Sequence, residues 1–254
     1  KPVNTPHIEV DSLQESPELV GEQATKYRAI VARANFLAAD RVDIQFAVKE
    51  ATRCMAKPRE CDWQRLKRIG RYLLGNPRVI MQFESQFQPS SITVYSDSDF
   101  AGCKRTRKST SGFIIMHGNH CIRTGSKTQS LIALSSGEAE LYALVKACSE
   151  GLGIQSLAKD FNRQLAIRTY TDASAALGIV GRKGLGKLRH VDTQFLWVQS
   201  AAARKAIEFS KMAGSKNPSD ICTKGVESWR LNEHLVRINV FTRNDRAISA
   251  PTLQ

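Results

Sequence analysis

Apolar residues along the first third of the chain recur at helical intervals. Tyr27, Ile30, Val31, Ala34 and Ala38 mark one face, and a second stretch opens at Asp43 and runs through Phe46, Ala47 and Ala51 to Met55. A third runs from Asp62 through Trp63, Leu66, Ile69 and Leu73. It stops where Gly75 offers a left-handed C-terminal position and Pro77 forbids continuation. Residues 1–24 mix Pro, Ser, Glu and Val without a period and read as a linker. Near residue 90 the period changes. Ile92 to Asp97 alternates as a strand, Gly112 to Met116 is a flatter apolar run, and Cys121 to Arg123 forms a third strand after the turn at Gly118-Asn119. Ser135 then opens a helix to about Glu150, and Ala166 to Tyr170 is a strand. Asp172 leads into a short helix ending at Gly181, residues 187–203 are again helical, Ala206 to Ser210 is a strand, and Pro218 starts a last helix. Three hairpin-linked strands followed by strands alternating with helices predict an α/β domain over residues 91–226. It is preceded by a helical segment over 25–90 and followed by an amphipathic helix and polar tail over 227–254.

Composition changes this picture in one respect. A length of 254 residues is ample for a buried core and, at about 150 residues per domain, fits between one and two domains. Lys and Arg number 37 against 24 Asp and Glu, a formal net charge of +13, which favours a polyanionic partner: nucleic acid or an anionic membrane surface. No run approaches the roughly 20 apolar residues of a spanning helix, and the opening residues lack the apolar core of a signal peptide. The expectation is an intracellular chain, cytoplasmic or nuclear, and the start without Met suggests a fragment. Six cysteines are scattered without a Cys-x-x-Cys pair, so reduced, packed thiols are expected and any metal chemistry must use oxygen ligands. Arg65, Lys67, Arg68 and Arg71 form one basic helix face, either solvated or phosphate-contacting.

The acids placed at element ends are the candidate chemistry. Asp97 and Asp99 end the first strand. Glu138 falls three residues after Ser135 and matches a capping box, whereas Glu140, about 200° around the helix from it, has no capping role. Asp172 follows the fourth strand and Asp220 opens the last helix, where each has a plain capping or dipole explanation. Four carboxylates converging at strand ends would repel unless a divalent cation neutralised them. Oxygen ligands select Mg²⁺ or Mn²⁺, and two such ions suit phosphodiester displacement.

Tyr95-Ser-Asp-Ser-Asp-Phe-Ala-Gly102 and Arg107-Lys-Ser-Thr-Ser-Gly-Phe113 resemble the opening of the RNase H domain of copia-type retrotransposon Pol polyproteins. Leu134-Ser-Ser-Gly-Glu-Ala-Glu140, Tyr170-Thr-Asp-Ala-Ser174 and Asp220-Ile-Cys-Thr-Lys224 fall in the family's order, and Arg189-His-Val-Asp192 is similar to its Lys-His-Ile-Asp element. Tyr27 to Ile30, Val42 to Val48 and Trp63 to Gly75 resemble the thumb or connection segment of its reverse transcriptase. The family's polymerase Tyr-x-Asp-Asp carboxylates do not occur here, so polymerase activity is not expected. The resemblance implies an RNase H-like fold, a mixed five-stranded sheet with flanking helices. It also implies Asp97, Glu140, Asp172 and Asp220 as metal-binding catalytic acids, one Mg²⁺ chiefly on Asp97 and Asp172 and a second shared through Asp97 with Glu140 and Asp220. Mn²⁺ can substitute. Asp99 and Glu138 are supporting residues, and His190 is either an auxiliary to turnover or a structural histidine. The implied activity is hydrolysis of the RNA strand of RNA–DNA hybrids, with the polymerase domain of the same polyprotein as partner. Lys104, Arg105, Arg107, Lys108, Arg182, Lys183, Lys187 and Arg189 are candidate backbone contacts. Two readings compete with this: a catalytically silent nucleic-acid-binding or scaffold module, and an integrase- or resolvase-type nuclease, which three acids in another order would mark.

Overall fold

The computed structural model describes residues 1–9, 16–186, 190–245 and 247. Its helices and strands run α1 (Gly21–Leu37), α2 (Val42–Thr52), α3 (Glu60–Gly75), β1 (Arg78–Met81), β2 (Ser91–Asp99), β3 (Thr110–His117), β4 (His120–Thr128), α4 (Ser136–Asp160), β5 (Ala166–Thr171), α5 (Ser174–Val180), α6 (Trp197–Ala203), β6 (Glu208–Lys211), α7 (Ser228–Arg237) and β7 (Val240–Arg243). The chain divides into two compact units: Lys1–Gln82 with Gly225–Gln254, and Phe83–Lys224. No helix among the described residues is long and apolar enough to cross a membrane.

The Phe83–Lys224 unit has the α/β architecture expected of an RNase H-like fold, a mixed five-stranded sheet with flanking helices. Its five strands lie in the order β4-β3-β2-β5-β6. β2, β3 and β4 pair antiparallel, and β2–β5 and β5–β6 pair parallel. Alternation along β2 explains its central place. Ile92 and Val94 are fully buried and join Phe113 and Ile115 of β3, Ile167 of β5, and Leu141, Leu144 and Cys148 of α4 in one apolar cluster. Burying each such aliphatic side chain contributes about 1.5–3 kcal/mol, so this layer fixes which way β2 faces. Gly151 lets α4 lie close to the sheet, since a Cβ there would sit 3.0 Å from Val94 Cγ2. Out-of-cluster residues Tyr95 and Tyr170, paired in the parallel register of β2 and β5, stack at 5.8 Å between ring centroids.

The other unit joins α1, α2 and α3 to the pair β1–β7, which is antiparallel. Tyr27, buried on α1, donates its hydroxyl to Ala51 O at 2.8 Å, and Arg41 grips Asp43 through two hydrogen bonds of 2.9 and 2.7 Å. The basic face of α3 is partly engaged within its own unit. Arg68 donates to Thr5 O and Oγ1, Arg71 donates to Lys1 O, and Arg65 lies 3.4 Å from Asp62, so the first residues of the chain run along that helix.

Several expected elements differ in extent or kind. The helix expected at Pro218 is a 3₁₀ turn, Pro218–Cys222. The helix expected over 187–203 is a 3₁₀ turn, Thr193–Phe195, followed by α6, with residues 187–189 outside the described residues. β4 continues well past Arg123 through Thr124, Ser126 and Lys127, polar positions that backbone pairing with β3 holds in the sheet. β1 and β7 had no sequence signal, because four-residue strands that pair across most of the chain lack room to alternate.

One pairing brackets the first of the candidate acids. Asp97 on β2 stands opposite Gly112 on β3, and the Pro218–Cys222 turn packs against that glycine. A Cβ at Gly112 would lie 2.5 Å from Thr223 Cγ2, 2.9 Å from Cys222 Cβ and 3.0 Å from Ser219 O. Gly112→Ala therefore forces the turn off the sheet. A loss of about 1–3 kcal/mol is expected in a denaturant titration of the native and variant chains, the usual range for overpacking. An unchanged midpoint would show that the turn moves at no cost.

Candidate metal centre

Three acids from three separate elements meet at one end of the sheet. Asp97, on the sheet's middle strand, is 3% exposed. Glu140 stands on α4 just past its first turn, and Asp172 directly follows β5. Each offers a carboxylate oxygen, and the three oxygens lie within 4.8 Å of one another. The local reasons are separable. β2 carries Asp97 to the cluster because its apolar residues face α4. Ser135 caps α4 by accepting from the Glu138 N–H at 3.2 Å, which sets the helix start and hence the rotation that aims Glu140. Gly214 makes room for Asp172, since a Cβ there would fall 2.6 Å from Asp172 Oδ2.

Asp220 is the fourth expected acid, and it lies beside this trio rather than within it. It is buried in the Pro218–Cys222 turn, with Lys224 Nζ 3.0 Å from its Oδ1. Asn217 fastens the turn by donating to Ser96 O at 2.9 Å and accepting from Ser219 N–H and Oγ–H. The Thr223 hydroxyl donates to Asp97 Oδ2. Thr223 and Lys224 did not emerge as site residues from pattern alone, although the stretch Asp220-Ile-Cys-Thr-Lys224 contains both. A lysine four residues after an acid ordinarily reads as a solvated i,i+4 pair.

The electrostatics follow from burial and crowding. Burial first, then the neighbouring Asp220 and Asp172 charges, push the Asp97 carboxyl up to about 7, against the opposing pull of Lys224 and the Thr223 hydrogen bond. Glu140 rises further, to about 9, from burial and the charges of Asp97 and Asp172. Its Oε2 is buried without a hydrogen-bond partner. An oxygen-only donor set with an orphaned carboxylate oxygen and raised protonation constants fits a hard divalent cation, which would supply the missing partner and neutralise the charge.

The remaining candidates take other positions. Asp99 accepts from the Thr110 N–H, and a Cβ on Gly102 would overlap its carboxylate, so it closes the loop between β2 and β3. Glu138 is buried, and its carboxylate reaches the Leu134 N–H rather than the N-cap amide that a capping box would use. It also accepts from the Tyr142 hydroxyl at 2.6 Å and lies 2.9 Å from His190 Nε2. Burial raises its carboxyl, but these hydrogen bonds outweigh it and the net shift is downward. His190 thus meets a buried carboxylate that is not one of the clustered three. Lys104, Arg105 and Arg107 are exposed and Lys108 half-buried in the loop after β2. Lys183 is exposed, whereas Arg182 donates to Leu185 O at 2.6 Å and packs where a Cβ of Gly186 would otherwise lie. Lys187 and Arg189 lie outside the described residues.

Relatives were found by sequence. The Pol polyproteins of transposons RE1 and RE2 of Arabidopsis thaliana are 29% and 30% identical over 243 and 233 residues, covering 94% and 88% of this chain. Over about nine-tenths of its length the chain's homologues are thus retrovirus-related Pol polyproteins of copia-type transposons. It spans 16% of the length of each of those two relatives. The chain is also 35% identical over 136 residues to secreted RxLR effector protein 161 of Plasmopara viticola, covering 54% of this chain and 89% of that protein. No family model matches it. Among solved structures, LC11-RNase H1 in complex with RNA/DNA hybrid aligns over 52% of this chain and 94% of its own, with 14% identity and a TM-score of 0.36. RNase H1 of Halobacterium salinarum gives the same coverages, 16% identity and a TM-score of 0.33.

The raised carboxyls make a stability prediction with a definite sign. A folded state that binds protons more tightly than the unfolded chain loses stability as pH rises through the folded-state values. Metal-free protein is therefore most stabilised by these groups below about pH 4, where both folded and unfolded carboxyls are protonated. The contribution is expected to fade between about pH 4 and the values near 7 and 9. Thermal melts in chelator from pH 5 to 9 should show this decline, with a shallower slope in Glu140→Gln. Equal slopes would show that Glu140 does not titrate in this range.

Proposed function

We infer that this chain is the RNase H part of a copia-type reverse transcriptase, a metal-dependent endonuclease that hydrolyses the RNA strand of RNA–DNA hybrids. The observation that carries the reading is the gathering of Asp97, Glu140 and Asp172 within 4.8 Å, with a buried Glu140 oxygen left unsatisfied, in an RNase H-like fold. Asp97, Glu140 and Asp172 would hold Mg²⁺ or Mn²⁺, with Asp220 beside them. Two such ions would activate the attacking water and take up charge on the leaving 3′ oxygen.

The chain's own residues supply the frame for that chemistry. Thr223 and the Pro218–Cys222 turn keep Asp97 oriented from one side, while the Ser135 cap fixes Glu140 from the other. The exposed Lys104, Arg105 and Arg107 offer phosphate contacts in the loop that follows β2, beside Asp97 and Asp99 in sequence. Such contacts position a duplex without reading its bases, so cleavage independent of sequence is expected. Discrimination of RNA needs contact with the 2′-hydroxyl and the A-form shape. On this reading the polymerase domain of the same polyprotein is the partner for substrate grip, and the likeness to Pol polyproteins supports it.

A labelled RNA–DNA hybrid with Mg²⁺ tests this directly. The native chain is expected to cut the RNA strand, and Asp97→Asn and Asp172→Asn each to lower the rate by more than the roughly 10–100-fold that losing a residue behind a metal ligand costs. Hybrid binding without cleavage would instead support a catalytically silent nucleic-acid-binding module. Cleavage surviving both substitutions would move the centre elsewhere. Replacing Lys104, Arg105 and Arg107 by Ala together should flatten the salt dependence of hybrid binding by up to about three phosphate contacts, and an unchanged slope would remove this loop from the interface.

A further inference from the structure

Lys224 brings a positive charge to the edge of the carboxylate cluster. Its Nζ lies 3.0 Å from Asp220 Oδ1, where the acid's side chain is 4% exposed but the lysine's is 48% exposed. Its backbone is held in place, since the Lys224 N–H donates to Asp220 O at 3.2 Å and the preceding Thr223 hydroxyl binds Asp97. The charge reaches past Asp220: it favours the ionised forms of Asp97 and Glu140, and Asp97, Asp220 and Asp172 in turn favour its protonated form. The ammonium thus has an anchored root, a half-exposed flexible stem and one end among acids. A lysine is suited to such a place because it is a compact point charge that can satisfy a carboxylate and swing away without breaking a fixed fork of bonds.

We propose that Lys224 is an internal counter-cation of the centre, neutralising Asp220 when no divalent ion is held and competing with that ion for the same negative charge. This rests on reading the centre as a divalent-cation site, and it goes further by assigning one residue control of its affinity. An ordinary surface pair between Lys224 and Asp220 would contribute little and would leave metal affinity alone. A counter-cation must be repelled or displaced when the ion arrives, so its removal strengthens metal binding while weakening the metal-free protein.

Titration calorimetry of the full chain with Mg²⁺ alone, at pH 8 and low salt, separates these cases. Lys224→Met keeps the apolar stem and removes the charge, and is expected to bind Mg²⁺ about tenfold more tightly, to melt at a lower temperature in chelator, and to gain more from Mg²⁺ than the native chain. Lys224→Gln should follow it, which guards against a packing defect peculiar to methionine, and Lys224→Arg should remain near native affinity. Unchanged or weaker Mg²⁺ binding in both neutral variants, with native melting in saturating Mg²⁺, overturns the proposal and leaves the metal centre standing. A native chain that binds no Mg²⁺ at millimolar concentration, and does not differ from Asp97→Asn, overturns both.

Discussion

Carboxylates held within 4.8 Å of one another, one buried and two half-buried, repel each other, and the whole Phe83–Lys224 unit is arranged so that this repulsion is tolerated rather than relieved. In water, separation or solvation would disperse the charge. Here Asp97 is fixed by a fully buried strand face, Glu140 by a capped helix of 25 residues, and Asp172 by a parallel strand paired with β2. Proton uptake is one way to lower the charge, and the elevated carboxyls of Asp97 and Glu140 express it. A bound cation is the other, and it is the one that chemistry on a phosphodiester can use.

Small residues decide how close the parts come. Gly112 admits the Pro218–Cys222 turn against β3, and Gly214 leaves the volume that the Asp172 carboxylate fills. Asn217 then ties the turn to Ser96, one residue before Asp97. The geometry of the carboxylate site and fold stability thus meet in the same few contacts, and a change in the turn would be felt at Asp97 through Thr223. Lys224 adds the only charge compensation that the chain itself brings to Asp220 among the described residues.

Much of this was legible in the sequence. The shift from helical to alternating periodicity near residue 90 marks where the five-stranded unit begins to form, and the placement of Asp97, Glu140 and Asp172 at or near element ends nominated them before any geometry was known. The spacing of Glu138 and Glu140 even separated a supporting acid from a clustered one, because two residues on a helix point to nearly opposite sides. Other features carried no one-dimensional signal. That Asp220 lies beside the trio rather than within it depends on a 3₁₀ turn whose path is set by Gly112 on another strand. The link between Glu138 and His190 joins residues 52 positions apart, and the part of Lys224 appears only when its ammonium is seen beside a buried acid. Strands β1 and β7 stayed hidden for the same reason: their pairing is made in space, not by local pattern.

On the proposed reading, the carboxylate cluster is a proton-loaded site that exchanges its protons for divalent cations. Calorimetric titration of the native chain with Mg²⁺ at pH 7, repeated in buffers of different ionisation enthalpy, counts the protons released per ion. With Asp97 near 7 and Glu140 near 9 in the absence of metal, binding should expel between about one and two protons, and fewer in Glu140→Gln. Mg²⁺ binding with no proton release, or no binding at all, would contradict it.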